Sequence, residues 1–261
     1  MKGGRSVESS AGLRQFFQWL ESRYGGLPLD TGKAAEVIVN TRLCGKDLQR
    51  LMAHEATAVH VKNFFPRASA QELGLQMAQQ AQQGQGRNWK VSTARGLESS
   101  DVFTLGAHAP YNVASGNGTT KEYFQGVQEE LQNRRVDKNK HALPLWPLDK
   151  VRLELDEAWP AGAGLAKDET SKMPFGGGLP RIMMGPTRWK KGFIHVDEMA
   201  PLSSTTGLFS ANVYLQLPDS AKTDGVFQIW PVGIRSRWDW YRVRIVESFS
   251  QLDPLLAIIG Q

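Results

Sequence analysis

Cysteine is nearly absent. Cys44 stands alone in 261 residues, which excludes a disulfide within the chain and makes a reducing, cytoplasmic setting the expectation. No apolar run approaches the ~20 residues that cross a bilayer, so no membrane partner is expected. The stretch from Met1 to Ser10 is polar, without the apolar region of a secretory signal. Histidine is scarce as well: there are five, and none follows His195. Internal repeats are missing, and no stretch reads as a linker.

Neither sign of charge dominates, with 31 basic and 26 acidic side chains giving a net charge of +5. A pI near 9.3 invites a nucleic-acid partner. The densest cationic and aromatic cluster is Arg235-Ser-Arg-Trp-Asp-Trp-Tyr-Arg-Val-Arg244, and Asp239 interrupts it. No binding module surrounds that cluster, and an anionic small molecule accounts for its charge equally well. Nucleic acid is therefore not the expected partner. Apolar residues at 41% and charged residues at 22% fit a globular chain with a sizeable core. Oligomeric state is not written in the sequence.

The front of the chain reads as helical. Leu13, Phe16, Phe17, Leu20 and Tyr24 share one helical face, and Gly25-Gly26 supplies a stop. Leu48, Leu51 and Met52 form a second stripe. Residues 58–65 read as a strand ending at Pro66, and Ser69-Ala-Gln-Glu opens a helix with a capping-box pattern. Strands are predicted over 88–93 and 101–105, then an amphipathic helix over 119–135 with Tyr123, Phe124, Val127 and Leu131 inward. A further helix lies within 143–159, and the Gly- and Lys-rich stretch 161–178 is expected to be a mobile loop able to act as a lid. The character then turns to strand, over 181–184, 192–197, 211–217 and 226–230. The reading is one α+β unit, with an N-terminal helical extension over 1–54 and the main domain over 55–261.

One segment carries chemistry, Lys191-Gly-Phe-Ile-His-Val-Asp-Glu-Met-Ala-Pro201. On a strand, residues two apart face the same way, with Cα atoms roughly 6.6 Å apart. His195 and Asp197 would thus project together, with Ile194 and Val196 on the opposite side. An imidazole and a carboxylate so placed are two of the three ligands in the facial triad of non-haem Fe(II) oxygenases. Alone, the H-x-D spacing arises often by chance, as a surface histidine beside a carboxylate.

The surrounding segments add to it. His195-Val-Asp-Glu-Met-Ala-Pro201, Ser210-Ala-Asn-Val-Tyr-Leu-Gln-Leu-Pro218 and Asp224-Gly-Val-Phe-Gln-Ile-Trp230 follow in order. Arg95-Gly-Leu-Glu-Ser-Ser-Asp-Val-Phe-Thr-Leu-Gly106 and the helix through Tyr123-Phe124 precede them. Over residues 55–245 this set resembles the Fe(II)/2-oxoglutarate-dependent oxygenase superfamily, prolyl-hydroxylase-like. Within it, the chain looks like the branch of free amino-acid halogenases and related hydroxylases. The resemblance implies a double-stranded β-helix (jelly-roll) core behind an N-terminal helical layer. It also implies Fe(II) as cofactor, 2-oxoglutarate as cosubstrate, ascorbate as a candidate reductant, and a small-molecule substrate such as an amino acid. His195 and Asp197 would be metal ligands and catalytic residues. Halogenases of this type carry a small residue where Asp197 stands, so the carboxylate points to hydroxylation.

The candidate contacts for the cosubstrate are Asn212, Tyr214 and Arg235. Asn212, Tyr214 and Gln216 share one strand face, opposite Val213, Leu215 and Leu217, and that face is either a polar pocket lining or a solvated surface. Arg235 and Arg237 are either bidentate carboxylate contacts or, the expected case, surface residues. The family pattern then fails, since it needs a second histidine further on, followed by a cation for the cosubstrate. The chain ends at Gln261 in an apolar, strand-like run that would leave an unpaired edge. C-terminal truncation is the expectation. A degenerate paralogue acting as a binding protein, or substitution by His54, His60, His108 or His141, are the alternatives, with His108 the foremost of the four.

Overall fold

In a computed structural model, the chain is described over residues 11–24, 36–93, 96–140, 145–183, 209–218, 227–229 and 255–257. Its elements run α1 (Ala11–Tyr24), β1 (Val37–Asn40), α2 (Gly45–Met52), β2 (Ala58–Val61), α3 (Arg67–Gln82), β3 (Arg87–Thr93) and β4 (Gly96–Thr104). There follow α4 (Tyr111–Gly116), α5 (Thr120–Lys140), α6 (Pro147–Ala158), β5 (Arg181–Met183), β6 (Phe227–Ile229) and β7 (Leu255–Ala257). The protein is thus a mixed α/β chain with small sheets, and the described strands close no barrel. It divides into two units, Met1–Lys62 with Pro218–Gln261, and Asn63–Leu217. The boundary expected after residue 54 falls inside the first.

In the first unit, β1 and β2 pair in parallel, Val37 opposite Ala58 through Asn40 opposite Val61. Parallel strands need a crossover connection, and α2 is that crossover. Its Leu48 is almost fully buried, as is Ile38 of β1. Asn40 Nδ2 donates to Asp47 Oδ2 at 2.5 Å, which links the end of β1 to the first turn of α2. The strand expected over 58–65 is shorter, because Lys62 N donates to the Asn40 carbonyl and the chain then turns at Asn63, whose φ is 52°. Antiparallel pairing joins β6 and β7, Phe227 opposite Ala257 and Ile229 opposite Leu255. Among the described residues, the apolar run near the chain end is therefore paired along one side.

In the second unit, α3 starts at Arg67, two residues before the expected capping box, with Pro66 as its cap and no side-chain capping bond. Packing sets that start: Phe65 and Ala70 are buried on either side of it, with Phe64, Trp146, Val213 and Leu215 against them. Three antiparallel strands follow in the order β3-β4-β5, with a bulge between Asn88 and Lys90. The larger core forms where α4 meets α5. Ala114, Tyr123, Phe124 and Val127 are buried there, and Tyr111, Leu131, Met173 and Phe175 pack on them. Four of these rings meet edge to face or tilted, with Tyr111 and Phe175 at 4.9 Å and Tyr123 and Phe124 at 5.0 Å. Such pairs add about 0.5–1.5 kcal/mol each beyond their burial.

The stretch expected to be a mobile lid is tied down. Asp168 N donates to the Met173 carbonyl and Phe175 N to the Ala166 carbonyl, which closes a short hairpin-like turn. Asp168 Oδ2 accepts from Ser171 N at 2.7 Å, Ser171 Oγ at 2.9 Å and Thr170 N at 3.1 Å. These bonds, with Ser171 N first, hold its carboxyl below the usual range. Glycine and lysine content alone does not reveal such a network.

Candidate functional site

The described residues concentrate buried polar chemistry at one place, between the end of β4 and the middle of α5. Along α5, positions 123, 127, 130 and 134 fall on one helical stripe. Tyr123 and Val127 continue the core, and Glu130 and Arg134 then extend that stripe with charge. Glu130 Oε1 accepts from Arg134 Nη2 at 2.6 Å, with side chains only 11% and 7% exposed. Arg134 Nη2 also lies 3.4 Å from the Gly178 carbonyl oxygen.

His108 completes the cluster from the segment between β4 and α4. Its side chain is 2% exposed, and Nε2 stands 3.4 Å from Glu130 Oε2. Its Nδ1 lies 2.8 Å from the Ala109 carbonyl oxygen. A carbonyl only accepts, so Nδ1 carries a hydrogen and donates it. His108 Nε2, Glu130 Oε2 and Arg134 Nε are all buried without a hydrogen-bond partner. Each such group costs about 1–3 kcal/mol. Among the described residues, the Glu130–Arg134 bond is thus the one directed side-chain contact within the cluster.

The chain makes room for this cluster with glycine. Gly106 has a φ of +127°, and a Cβ there would lie 2.7 Å from Glu130 Oε2. At Gly176 a Cβ would meet His108 Nε2 at 2.8 Å. Gly176 N donates to the Tyr123 hydroxyl oxygen at 3.0 Å, and the Tyr123 ring meets His108 edge-on at 4.9 Å. Burial pushes the Tyr123 phenol above its ordinary value, the Gly176 bond partly opposing it and nearby Tyr111 and Glu130 adding to it.

His195, Asp197 and Arg235 lie outside the described residues, as do His141 and the Arg235 to Arg244 cluster. Residues 209–218 join no ladder among the described residues, although a strand is predicted there. Their alternation is nonetheless kept: Val213 and Leu215 pack toward Phe65 and Ala70, whereas Asn212 and Gln216 are exposed. Tyr214 is half-buried, and desolvation raises its phenol. His54 sits exposed in the left-handed turn after α2. His60 lies on β2, its imidazole lowered by burial first and by Lys62 second.

His108, the foremost of the four histidines expected as alternative ligands, belongs to this cluster. One ring nitrogen faces the Ala109 carbonyl and the other faces Glu130. Among the described residues, no group of three or more His, Cys, Asp or Glu side chains could hold a metal ion. None of the described helices is long and apolar enough to cross a membrane. Glu130 and Arg134 are the residues that sequence reasoning missed. Their signal is present, as an i, i+4 ion pair falling on the apolar stripe of α5 instead of its wet face. No family model, no curated protein and no solved structure matches this chain.

Proposed function

We propose that the chain derives from the Fe(II)/2-oxoglutarate-dependent oxygenases, with a double-stranded β-helix core. Its activity is dioxygenase hydroxylation of an unactivated C–H bond on an amino acid or similar small polar substrate. The observation that carries this reading is the His195-Val-Asp197 spacing, followed in order by the 210–218 and 224–230 segments. The donors suit the metal, since an imidazole and a carboxylate are two ligands of the facial set. Fe(II), when bound, supplies open coordination positions for cosubstrate and oxygen together with the oxidising chemistry. No histidine follows His195 in this sequence to complete the donor set, and His108 faces the Ala109 carbonyl with one ring nitrogen and Glu130 with the other. His195 and Asp197 hold the metal in this reading, and Asn212, Tyr214 and Arg235 receive the cosubstrate.

The test is succinate formation from 2-oxoglutarate with Fe(II) and ascorbate, over a panel of free amino acids. Turnover that disappears in both His195→Ala and Asp197→Ala is expected. Equal succinate from the native chain and both variants would sink the enzymatic reading.

A second reading is favoured by the incomplete donor set: an oxygenase-fold relative that binds a small molecule without turnover. It predicts no succinate above the Asp197→Ala background, yet saturable binding of 2-oxoglutarate by calorimetry. Absence of both turnover and binding would remove this reading as well.

A further inference from the structure

We propose that His108, Glu130 and Arg134 form a proton-dependent latch that seats the strap Gly176-Gly177-Gly178 against α5. This inference stands apart from the oxygenase reading and uses only residues of the second unit. Its starting point is the hydrogen on Nδ1, which the Ala109 carbonyl requires. The state of Nε2 then decides whether the facing Glu130 Oε2, 3.4 Å away, is attracted or repelled. With a proton between them, an imidazolium faces a carboxylate. Without it, two lone pairs oppose each other at a site that excludes water, where such terms are strong.

The other groups around the imidazole do not offset that repulsion. From α5, Tyr123 presents a ring edge, and its hydroxyl oxygen already accepts from Gly176 N. Arg134 reaches the imidazole only through Glu130, on whose other oxygen it sits. The strap offers backbone, Gly176, directly over Nε2. Two bonds seat that backbone: Gly176 N to the Tyr123 oxygen, and Arg134 Nη2 to the Gly178 carbonyl. Both are anchored on α5, and the second depends on where Glu130 holds the guanidinium. When Glu130 is repelled by an unprotonated His108, Arg134 moves with it and the Gly178 contact goes first. Gly177 and Gly178, with φ of +71° and +142°, form the natural hinge.

The coupling has one sign. A proton on Nε2 tightens the strap, and its loss as pH rises loosens it. The readout is hydrogen exchange by mass spectrometry on the full chain over a series of rising pH values, corrected for the intrinsic pH dependence of exchange. Protection over 173–180 is expected to fall on the order of tenfold from the acid to the alkaline end. Peptides from β3 and α3 should hold steady. In His108→Gln, whose amide does not titrate, the fall should vanish. A flat profile in the native chain, or parallel profiles in native and His108→Gln, overturns the latch. Should His108→Gln fail to fold, the native profile still decides, because loss of protection spread evenly over the chain also overturns it.

Discussion

Glu130 and Arg134, one turn apart on α5, lock Oε1 to Nη2 at 2.6 Å within the interior, where neither side chain is more than 11% exposed. A buried pair is weak evidence of net stability, but removing one partner leaves the other charged and unsolvated. Glu130→Ala is therefore expected to destabilise by about 3–5 kcal/mol. The double replacement Glu130→Leu with Arg134→Met should recover much of that loss, since an apolar pair of similar volume is often neutral. Urea unfolding midpoints of the native chain and the two variants measure it. A Glu130→Ala variant within about 1 kcal/mol of the native chain would mean that the pair is solvated in practice.

Gly126 gives a sharper test of how tightly α5 meets the segment before α4. Alanine in a helix interior is worth about 1 kcal/mol over glycine. At Gly126, however, a Cβ would lie 2.8 Å from both the Ala107 carbonyl oxygen and His108 Cβ. The obstruction includes backbone, which cannot swing aside, and overpacking of this kind costs about 1–3 kcal/mol. Gly126→Ala should come out between about neutral and about 2 kcal/mol destabilised, whereas Gly116→Ala, with nothing near its Cβ, should be stabilised. A stabilised Gly126→Ala would show that α5 stands further from residue 107.

These two sites also show how far the sequence could be read. Helices α1, α2, α5 and α6 and strands β3 to β6 lie near their predicted places, because apolar periodicity records which face is buried. Strand β1 and the six-residue α4 were not predicted. The start of α3 was misplaced because packing of Phe65 and Ala70 outweighed a local capping pattern. The His108 cluster was half legible. His108 stood out as a residue type, whereas its partners lie 22 and 26 positions later and meet it only through the fold. Charges on a helix are read by default as its wet face, and here the default fails.

Tyr123 tests the strap from its other anchor. Its hydroxyl oxygen is the acceptor for Gly176 N, so Tyr123→Phe strands a buried donor and should cost about 1–3 kcal/mol. A pH signature accompanies it. Burial raises the phenol in the folded chain, so the unfolded chain ionises first. The stability tied to this group is complete below the ordinary tyrosine value and is lost as pH rises through the folded one. Tyr123→Phe should flatten that alkaline loss in thermal melts. An unchanged alkaline slope would assign the effect to other tyrosines.

His60 provides the opposite sign in the first unit. It sits on β2 opposite Val39, with burial, then Lys62, lowering its imidazole. The unfolded chain thus takes up a proton at a higher pH than the folded chain does. Stability from keeping His60 neutral is complete above the ordinary histidine value and is lost as pH falls toward the lowered folded one. Melting temperatures at about pH 7.5 and about pH 5 should differ more in the native chain than in His60→Gln. The site is half-exposed, so the difference is a slope rather than a collapse. Lys62→Gln should reduce that difference but not abolish it, because desolvation is the larger of the two causes. Equal slopes in the native chain and His60→Gln would show that β2 leaves its imidazole in water and that the β1–β2 pairing is looser than its four-residue register implies.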